Sequence, residues 1–373
     1  RTSCNPAVGG LAKGQMVKEV DVLGGIMGFF ADMSTLQSKT LNKSKGRSVW
    51  SPRSQIDKNL YEKIAQKHIK EKGLDVFEGE VISLDVKNDV VVGVYLKDGS
   101  KICCSAVILT CGTFLNGLIH IGNEQMRAGR YNEKRSEGIT EHLNSLGLNS
   151  GRLKTGTPPR VKRSSINWEK AVPDFGDKKP KPLSYRTKNF IPKNEPCFSF
   201  RTNKKTHEMI MKNLHTSAMY SGKDVATGPR YCPSIEDKVY KFNQNPSHLL
   251  QLEPEWTMSE QMYVNGFSTS LPEKVQVNCL KSVVGLESVE FIRPGYAIEY
   301  DFFYPSQLKN SLETKEIKGL FLAGQINGTS GYEEASSQGI LAGINASCYI
   351  FNEQPLVLKR NDAYIGVLVD DLI

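Results

Sequence analysis

Near its C-terminal end the chain combines a short apolar strand, a glycine-rich turn and a long helix. The strand covers Leu320 to Ala323, and the turn reads "GQINGTSG". Small residues follow at every fourth helical position, namely Ala335, Gly339, Gly343 and Ser347. Such a turn leaves backbone N–H groups free at the positive end of a helix, which suits a phosphate or another electron-rich group. Glycines that serve only helix packing look the same, so the turn alone leaves both interpretations open.

Two other segments have a related pattern. The first, "SCNPAVGGLAKG", precedes the helical sequence "QMVKEVDVLGG". The second is the strand Ala106 to Thr110, which we expect to be fully buried. It is followed directly by Cys111, Gly112 and Thr113. Small residues at a strand end let a ligand approach the sheet edge. Together the three segments resemble the way flavoproteins of the two-dinucleotide-domain type surround FAD. We therefore expect an α/β fold with an FAD-binding Rossmann-like domain.

The two ends of the chain also bear on this expectation. A GxGxxG turn for the FAD pyrophosphate is not found in these residues, and we expect it before Arg1. The chain lacks an initiator Met and a signal peptide, and it stops within the apolar run "IGVLVDDLI". The expectation is an internal fragment of a longer protein.

Composition narrows the class of protein. The chain has 373 residues, of which 39% are hydrophobic and 24% charged, as in soluble globular proteins of two or three domains. No apolar stretch approaches the roughly 18 residues of a membrane span. The eight cysteines include no CxxC pair, which disfavours a zinc ribbon and a dithiol redox motif. We expect reduced thiols, a cytoplasmic location and no membrane contact.

Secondary-structure patterns divide the N-terminal half. Apolar residues recur at helical spacing between Ser51 and Gly73 and predict a surface helix. β-branched runs, divided by Lys87-Asn88-Asp89 and by Asp98-Gly99, predict a three-stranded meander at about residues 76–105.

The net charge of +8 is localised between Gly151 and Lys193. Twelve basic residues lie there, which are Arg152, Lys154, Arg160, Lys162, Arg163, Lys170, Lys178, Lys179, Lys181, Arg186, Lys188 and Lys193. Only three acidic residues oppose them, and the stretch is also rich in Pro and contains the aromatics Trp168, Phe175 and Tyr185. We expect an exposed, loop-dominated segment, which is either a solvated linker or a track for nucleic acid.

Two cysteines lie in turn-like sequence, Cys4 in "SCNP" and Cys232 in "YCPS". A lone cysteine is usually a small buried hydrophobe. Arg230 precedes Cys232 and would favour its thiolate, the form that a cysteine nucleophile requires. Four carboxylates near turns are either acids and bases or structural ion pairs, namely Glu236, Asp237, Glu299 and Asp301.

A set of long motifs is more specific than any of these patterns. In chain order they are "SCNPAVGGLAKG", "CGTFLNGLIHIG", "GRLKTGTPPR", "GPRYCPSIEDK", "NGFSTSLP", "RPGYAIEYDFF" and "GLFLAGQINGTSGYEEASSQG". They resemble the MnmG (GidA) family of tRNA uridine 5-carboxymethylaminomethyl modification enzymes over essentially the whole chain. The resemblance implies an FAD-dependent enzyme that acts on C5 of the wobble uridine (U34) of tRNA. It also implies a GTPase partner, MnmE, a homodimer, NADH as reductant, methylenetetrahydrofolate as one-carbon donor, and glycine or ammonium as nitrogen source.

The resemblance also assigns residues. Cys4 and Cys232 would be the catalytic thiols. Cofactor contacts would fall at Val81, Gly112, Thr113, Ser136, Thr155, Gly156, Gly324, Gln325 and Asn327. The nicotinamide segment would comprise Gly228, Pro229, Arg230, Tyr231, Cys232, Pro233, Ser234, Ile235, Glu236, Asp237, Lys238 and Phe242. For tRNA, we single out Arg152, Lys154, Arg160, Lys162 and Arg163 from the basic segment.

The expected domain boundaries follow from the same family resemblance. We expect the FAD-binding domain over 1–160 and again over 317–352, with an inserted α/β domain for NADH and substrate over 161–316. Residues 353–373 would begin a C-terminal region.

Three alternatives remain. A folate- and FAD-dependent tRNA uridine C5-methyltransferase is the nearest, but it lacks the "SCNP" and "YCPSIED" strings. A flavin disulfide reductase is disfavoured by the missing CxxC. A non-enzymatic RNA-binding scaffold would be colourless.

Overall fold

A computed structural model describes Thr2, residues 4–220 and residues 233–373 of the chain. The strands are β1 (Ala7–Gly9), β2 (Thr35–Leu41), β3 (Ser51–Ile56), β4 (Val81–Lys87), β5 (Val90–Leu96), β6 (Lys101–Cys103), β7 (Val107–Leu109), β8 (Leu118–Ile121), β9 (Glu124–Arg127), β10 (Ser150–Thr157), β11 (Arg160–Lys162), β12 (Val172–Asp174), β13 (Cys197–Arg201), β14 (Leu249–Pro254), β15 (Gln261–Asn265), β16 (Phe291–Arg293), β17 (Tyr296–Phe303) and β18 (Leu320–Leu322). The helices are α1 (Gly14–Val22), α2 (Met27–Met33), α3 (Lys58–Glu71), α4 (Ile139–Ser145), α5 (Lys204–Lys212), α6 (Ile235–Lys241), α7 (Glu273–Lys281), α8 (Tyr332–Ile350) and α9 (Tyr364–Leu372). The fold is mixed α/β, as expected. None of the described helices is both long and apolar enough to cross a bilayer.

The glycine-rich turn "GQINGTSG" connects β18 to α8, as predicted. Strand β18 pairs in parallel with β7, and Leu320 lies opposite Val107. Helix α8 packs against this pair in one hydrophobic core that also includes Leu109 and Phe321. The expectation that β7 is fully buried is wrong, because Ile108 is 36% exposed. Among the described residues β7 pairs only with β18, so its outward side chain stays partly in solvent.

The predicted meander is present as the antiparallel sheet β4-β5-β6. Its first turn has Asn88 and Asp89 at φ of 50° and 60°, the left-handed pair of a type I′ hairpin turn. This turn matches the right-handed twist of the strands, and Asn and Asp tolerate the conformation.

The predicted surface helix begins later than the apolar pattern does. Helix α3 starts after Asp57, whose carboxylate accepts a hydrogen bond from Leu60 N, and Gly73 follows it at φ of 65°. Residues Ser51–Ile56 form strand β3 instead. This strand pairs with both β1 and β2, so its backbone groups are satisfied by neighbours on two sides, and Ile56 is fully buried.

A second core lies under an antiparallel sheet of order β12-β13-β14-β15-β11-β16. Helices α5, α6 and α7 contribute Ile210, Val239 and Leu280 to it, and β14 and β15 contribute Leu252 and Val264. This unit corresponds to the inserted α/β unit of the expected fold. The numerical domain boundaries stay a prediction.

The basic segment departs from expectation in its first part. Residues 150–157 form β10, which pairs with β17 within the sheet β10-β17-β8-β9, and residues 160–162 form β11. Arg160 is completely buried and Lys154 is 6% exposed, so this part is neither loop-dominated nor exposed. The physical reason is that partners with opposite charge on neighbouring strands make burial of these cations tolerable. Beyond residue 174 the segment is irregular, with exposed lysines at 178, 179, 181, 188 and 193.

Candidate functional site

The two glycine-rich turns lie opposite each other in the structure. They border a cavity of about 410 Å³, whose lining includes Leu11, Ala12, Lys13, Met16, Gly328, Thr329, Ser330, Glu334, Tyr364, Val367 and Leu368. Gly9 N donates a hydrogen bond to Glu333 at the start of α8 (2.7 Å). Lys13 lies 3.4 Å from both Glu333 and Glu334. Two segments more than 300 residues apart therefore form one site.

Lys13 carries a stable positive charge at this cavity. Burial opposes its protonation, but the carboxylates of Glu333 and Glu334 outweigh burial and raise the pKa of Lys13. The ammonium group therefore stays protonated at the N-terminus of α8, where Glu333 and Glu334 engage it.

Backbone geometry explains the glycines at two positions. Gly9 has φ of 88°, and a Cβ there would overlap the carbonyl of Pro52. Gly324 has φ of 90° and ψ of −140°, a region that is essentially restricted to glycine. Both turns thus depend on residues without side chains.

The second turn is held rigidly by Gln338 of α8. The side-chain carbonyl of Gln338 accepts hydrogen bonds from Gly324 N (3.0 Å) and from the side-chain amide of Asn327 (2.9 Å). The same side-chain amide nitrogen of Asn327 also donates to Leu322 O. The side-chain oxygen of Asn327 is buried without a partner in the described structure. Asn327 therefore has one acceptor left over at the turn.

The strand end after β7 lies against this turn. An ideal Cβ on Gly112 would be 3.7 Å from Oε1 of Gln325, so these two predicted cofactor residues are neighbours. Thr113 donates to Gly129 O (2.6 Å). Ser136 N donates to Phe114 O (2.9 Å), within the loops that follow the same strand.

The remaining predicted cofactor residues lie elsewhere in these sheets. Val81 begins β4 in the meander, opposite Leu96. Thr155 and Gly156 are buried in β10, opposite Ile298 and Ala297 of β17. Val81 packs against the hydrophobic core that also contains Ala323 and Ile326, on either side of Gly324.

Cys4 is fixed at three atoms close to the N-terminus of α8. Its backbone N donates to the Tyr332 hydroxyl (2.6 Å), and its carbonyl accepts from Lys58 Nζ (3.2 Å). Its Sγ lies 3.1 Å from the Tyr263 hydroxyl oxygen. Sequence reasoning selected Cys4 but missed its partners, because a tyrosine inside the strand pattern "QMYVN" gives no signal of its own.

A buried ion-pair cluster lies behind Cys4. The Glu255 carboxylate accepts from Lys58 (2.6 Å) and lies 3.4 Å from the guanidinium of Arg160. The Arg160 guanidinium also stacks over the Tyr263 ring, 4.6 Å from its centroid. Burial lowers the pKa of Lys58 to about 8, and the charge of Glu255 offsets this only in part. The cluster connects the cation Arg160 to the ring that contacts the Cys4 thiol.

Cys232 and its predicted neighbours Gly228, Pro229, Arg230 and Tyr231 lie outside the described residues. Pro233 follows them, and Ser234 caps α6 by accepting from Asp237 N (3.0 Å). Ile235 N donates to Ser268 O (2.7 Å), and Lys238 Nζ donates to Gly266 O (3.2 Å). Phe242 ends the helix and is 49% exposed. This part of the predicted nicotinamide segment is therefore tied to the loop after β15.

The candidate acids and bases differ in their surroundings. Oε1 of the fully buried Glu236 accepts from Ser217, Thr269 and Ser270 N, and burial raises the pKa of Glu236. Asp237 accepts from the Tyr220 hydroxyl (2.9 Å) and pairs with Lys241 (2.8 Å).

Glu299 and Asp301 belong to an ion-pair network on β17. Glu299 accepts from His120 (2.9 Å) and Arg152 (2.5 Å) and lies 3.2 Å from Lys154. Asp301 also accepts from Arg152 (2.5 Å). These contacts are the structural ion pairs that we considered for both carboxylates.

The residues selected for tRNA therefore separate into two groups. Arg152, Lys154 and Arg160 are engaged by carboxylates inside the protein. Lys162 and Arg163 are partly exposed; Lys162 lies 3.3 Å from Glu290, and Arg163 lies over the Trp168 ring at 5.6 Å.

Comparison with known proteins gives the family. The sequence profile described as Glucose inhibited division protein A matches residues 1–354. The chain is 51% identical to the tRNA uridine 5-carboxymethylaminomethyl modification enzyme MnmG of Chlorobium phaeobacteroides, covering 100% of this chain and 60% of that protein. It is 50% identical to MnmG of Karelsulcia muelleri, covering 100% of this chain and 61% of the relative.

A solved structure agrees. The form I crystal structure of Aquifex aeolicus GidA matches with a TM-score of 0.95 at 46% identity, covering 100% of this chain and 63% of that one. The chain thus spans about three fifths of the length of the curated relatives it matches. It belongs to the GidA (MnmG) family.

Proposed function

We propose that this chain forms the cofactor and thiol site of an FAD-dependent enzyme that modifies C5 of the wobble uridine in tRNA. The observation that carries the proposal is the position of Cys4. Tyr332, the first residue of α8, binds the Cys4 backbone, while the neighbouring Glu333 and Glu334 bind the turn that borders the cavity. A nucleophilic thiol and a candidate cofactor cavity therefore share one helix N-terminus.

The residues that line this cavity, and those next to them in the chain, fit a flavin. Gly10 has φ of 113° and open space around its Cα, so the backbone can approach a flat ring closely. The protonated Lys13 and the free N–H groups at the start of α8 suit an electron-rich ring edge. The buried Asn327 carbonyl offers an acceptor without a partner. FAD, when bound, would supply the redox chemistry, with NADH as the source of hydride.

Cys4 would supply the nucleophile for the uridine. Its thiolate forms a bond to C6, and the electrons of the C5–C6 double bond move onto the C4 carbonyl oxygen, which makes C5 nucleophilic. After a one-carbon unit is attached at C5, the C5 proton leaves, the S–C6 bond breaks and the double bond is restored. The Tyr263 hydroxyl donates a hydrogen bond to the sulfur while it is an anion. Cys232 is the second candidate thiol.

The finer assignments rest on family membership. They comprise methylenetetrahydrofolate as one-carbon donor, glycine or ammonium as nitrogen source, the GTPase MnmE as partner, a homodimer, a cytoplasmic location and a nicotinamide site on residues 228–242. Lys162 and Arg163 would contact tRNA phosphates.

Nucleoside mass spectrometry tests the function. We expect tRNA from cells that lack the gene to lose the wobble aminomethyl-type uridines. In a reconstituted assay, Cys4→Ser and Cys232→Ser should each abolish modification while the flavin absorbance stays normal. Cys103→Ser is the matched control, because that thiol is exposed. Unchanged wobble uridines in the deleted strain would refute the function, and a colourless wild-type protein would favour the RNA-binding scaffold.

A further inference from the structure

A second, smaller cavity lies beside Cys4 and plays no part in the flavin proposal. Its volume is about 200 Å³, and it is lined in part by Thr2, Lys58, Glu255 and Arg293. Lys58 connects it to the thiol site, because the same ammonium group donates to the Cys4 carbonyl. Thr2 is two residues from Cys4 in the chain. A molecule in this cavity would contact Lys58, which holds the backbone of the candidate nucleophile.

Two polar atoms of this lining are buried and have no hydrogen-bond partner in the described structure. They are the hydroxyl oxygen of Thr2 and Nε of Arg293. A buried polar group without a partner is destabilising, so native proteins satisfy nearly all such groups with protein, water or ligand. The two atoms together offer an N–H donor and a hydroxyl that can accept.

The charges of the lining indicate a neutral ligand. Three cations and three carboxylates line the cavity, which are Lys58, Arg130, Arg293, Glu62, Glu133 and Glu255. Their formal charges cancel, so the cavity provides no net attraction for a phosphate. Two aromatic residues, Tyr131 and Trp256, also line it; the Tyr131 ring stacks on Tyr296, which leaves the Trp256 ring to stack on a ligand. The Arg293 guanidinium already lies over the Tyr131 ring, 5.6 Å from its centroid.

We propose that this cavity binds the uracil ring of the substrate nucleotide, an assignment that rests on the proposed function for the choice of base. Uracil is planar and neutral, with two carbonyl acceptors and one N–H donor. Arg293 Nε donates to a carbonyl oxygen, the Thr2 hydroxyl accepts from N3–H, and the aromatic side chains contact the ring. The base is then held beside Cys4 without any contact to a phosphate.

The direct test uses uridine itself as the probe, with binding to the full chain measured by saturation-transfer NMR. Arg293→Gln and Thr2→Val should each weaken uridine binding by roughly fivefold or more, since a good hydrogen-bonded base contact is worth about 1–3 kcal/mol. Arg360→Gln is the matched control, because Arg360 is exposed and pairs with Asp370 in the C-terminal part of the chain. Equal binding by all variants, or no uridine binding by the wild type, overturns the proposal.

Two further probes are needed. One distinguishes recognition of the base from recognition of a phosphate, and the other distinguishes a failure of the cavity proposal from a failure of the proposed function. Ribose 5-phosphate should not compete with uridine, and competition that depends on Arg293 would overturn the proposal in favour of a phosphate site. Binding of intact tRNA reports on the proposed function independently. If uridine binding depends on Arg293 but the protein binds no tRNA, the cavity proposal is supported and the proposed function is refuted. If the protein modifies tRNA but Arg293→Gln binds uridine as the wild type does, only the cavity proposal is refuted.

Discussion

The sulfur of Cys4 lies 3.1 Å from the hydroxyl oxygen of Tyr263, although 259 residues separate the two in the chain. Tyr263 is 2% exposed and is held on its ring face by Arg160. The hydroxyl therefore has little freedom to turn away from the sulfur. A hydroxyl in this position stabilises a thiolate by donating a charge-assisted hydrogen bond to it.

We expect Tyr263→Phe to slow alkylation of Cys4 by iodoacetamide several-fold at neutral pH. The ring and its packing remain, but the hydroxyl that contacts the sulfur is lost, so the attacking sulfur is no longer stabilised by that hydrogen bond. Mass spectrometry of the peptide that contains Cys4 measures the rate.

Tyr61→Phe is the control for this prediction. Tyr61 lies close to the same site, packed against the core of Val8 and Ile56, and it is not among the hydrogen-bond partners that the described structure gives Cys4. Identical alkylation rates for Tyr263→Phe and wild type would show that the hydroxyl does not act on the sulfur.

Two glycine substitutions should change stability in opposite directions. Gly9→Ala forces a side chain into positive φ and against the Pro52 carbonyl, so it should lower the free energy of unfolding by more than about 2 kcal/mol. Gly339→Ala lies in α8 with open space around it and should raise the same quantity by about 0.5–1 kcal/mol. Urea denaturation measures both, and a neutral Gly9→Ala would contradict the geometry of the first turn.

Glu299→Gln should destabilise the fold in a pH-dependent way. The hydrogen bond from His120 and the charges of Arg152 and Lys154 hold the pKa of Glu299 far below its usual range, although burial opposes them. Its contribution is fully present above the unfolded-state pKa of about 4.3 and is lost as the pH falls toward the depressed folded-state value.

At neutral pH we expect a loss of about 3 kcal/mol, typical of breaking a buried ion pair. The difference between variant and wild type should shrink below the unfolded-state pKa. Urea denaturation over a series of pH values measures it, and Glu290→Gln is the control, because its pair with Lys162 is exposed. A loss that is the same at every pH would argue against a charged Glu299.

Reversal of charge at Lys162 and Arg163 should weaken tRNA binding and leave the flavin spectrum normal. If both contact phosphates, the slope of log affinity against log salt concentration should fall by about 1–2. Lys67→Glu with Lys204→Glu makes the same change in net charge on exposed helical positions and should have less effect. An unchanged affinity at low salt would exclude Lys162 and Arg163 from the tRNA surface.

The sequence was informative where local rules decide the structure. Alternating β-branched residues divided by Asn88-Asp89 predict the meander, and a glycine turn between an apolar strand and a helix predicts the β18–α8 connection. Both outcomes depend on backbone conformations that neighbouring residues set. The start of α3 could not be predicted, since β3 is fixed by pairing with β1 and β2.

The partners of Cys4 could not be predicted from local sequence patterns. Tyr263, Tyr332 and Lys58 come from a strand and two helices far apart in the chain. Burial of Arg160 likewise depends on Glu255, which is 95 residues away. Only a three-dimensional arrangement reveals that a cation selected for its charge belongs to a protein core.

The burial of Arg160 has a consequence for how RNA binding by the protein would depend on salt concentration. Of the twelve basic residues between Gly151 and Lys193, Arg152, Lys154, Arg160 and Arg186 are neutralised by carboxylates of the fold, which leaves eight. Each phosphate contact releases about 0.7–0.9 counterions from nucleic acid, so this segment can account for a salt slope no steeper than about −7. A steeper slope would require cations from another part of the surface to displace ions from the RNA.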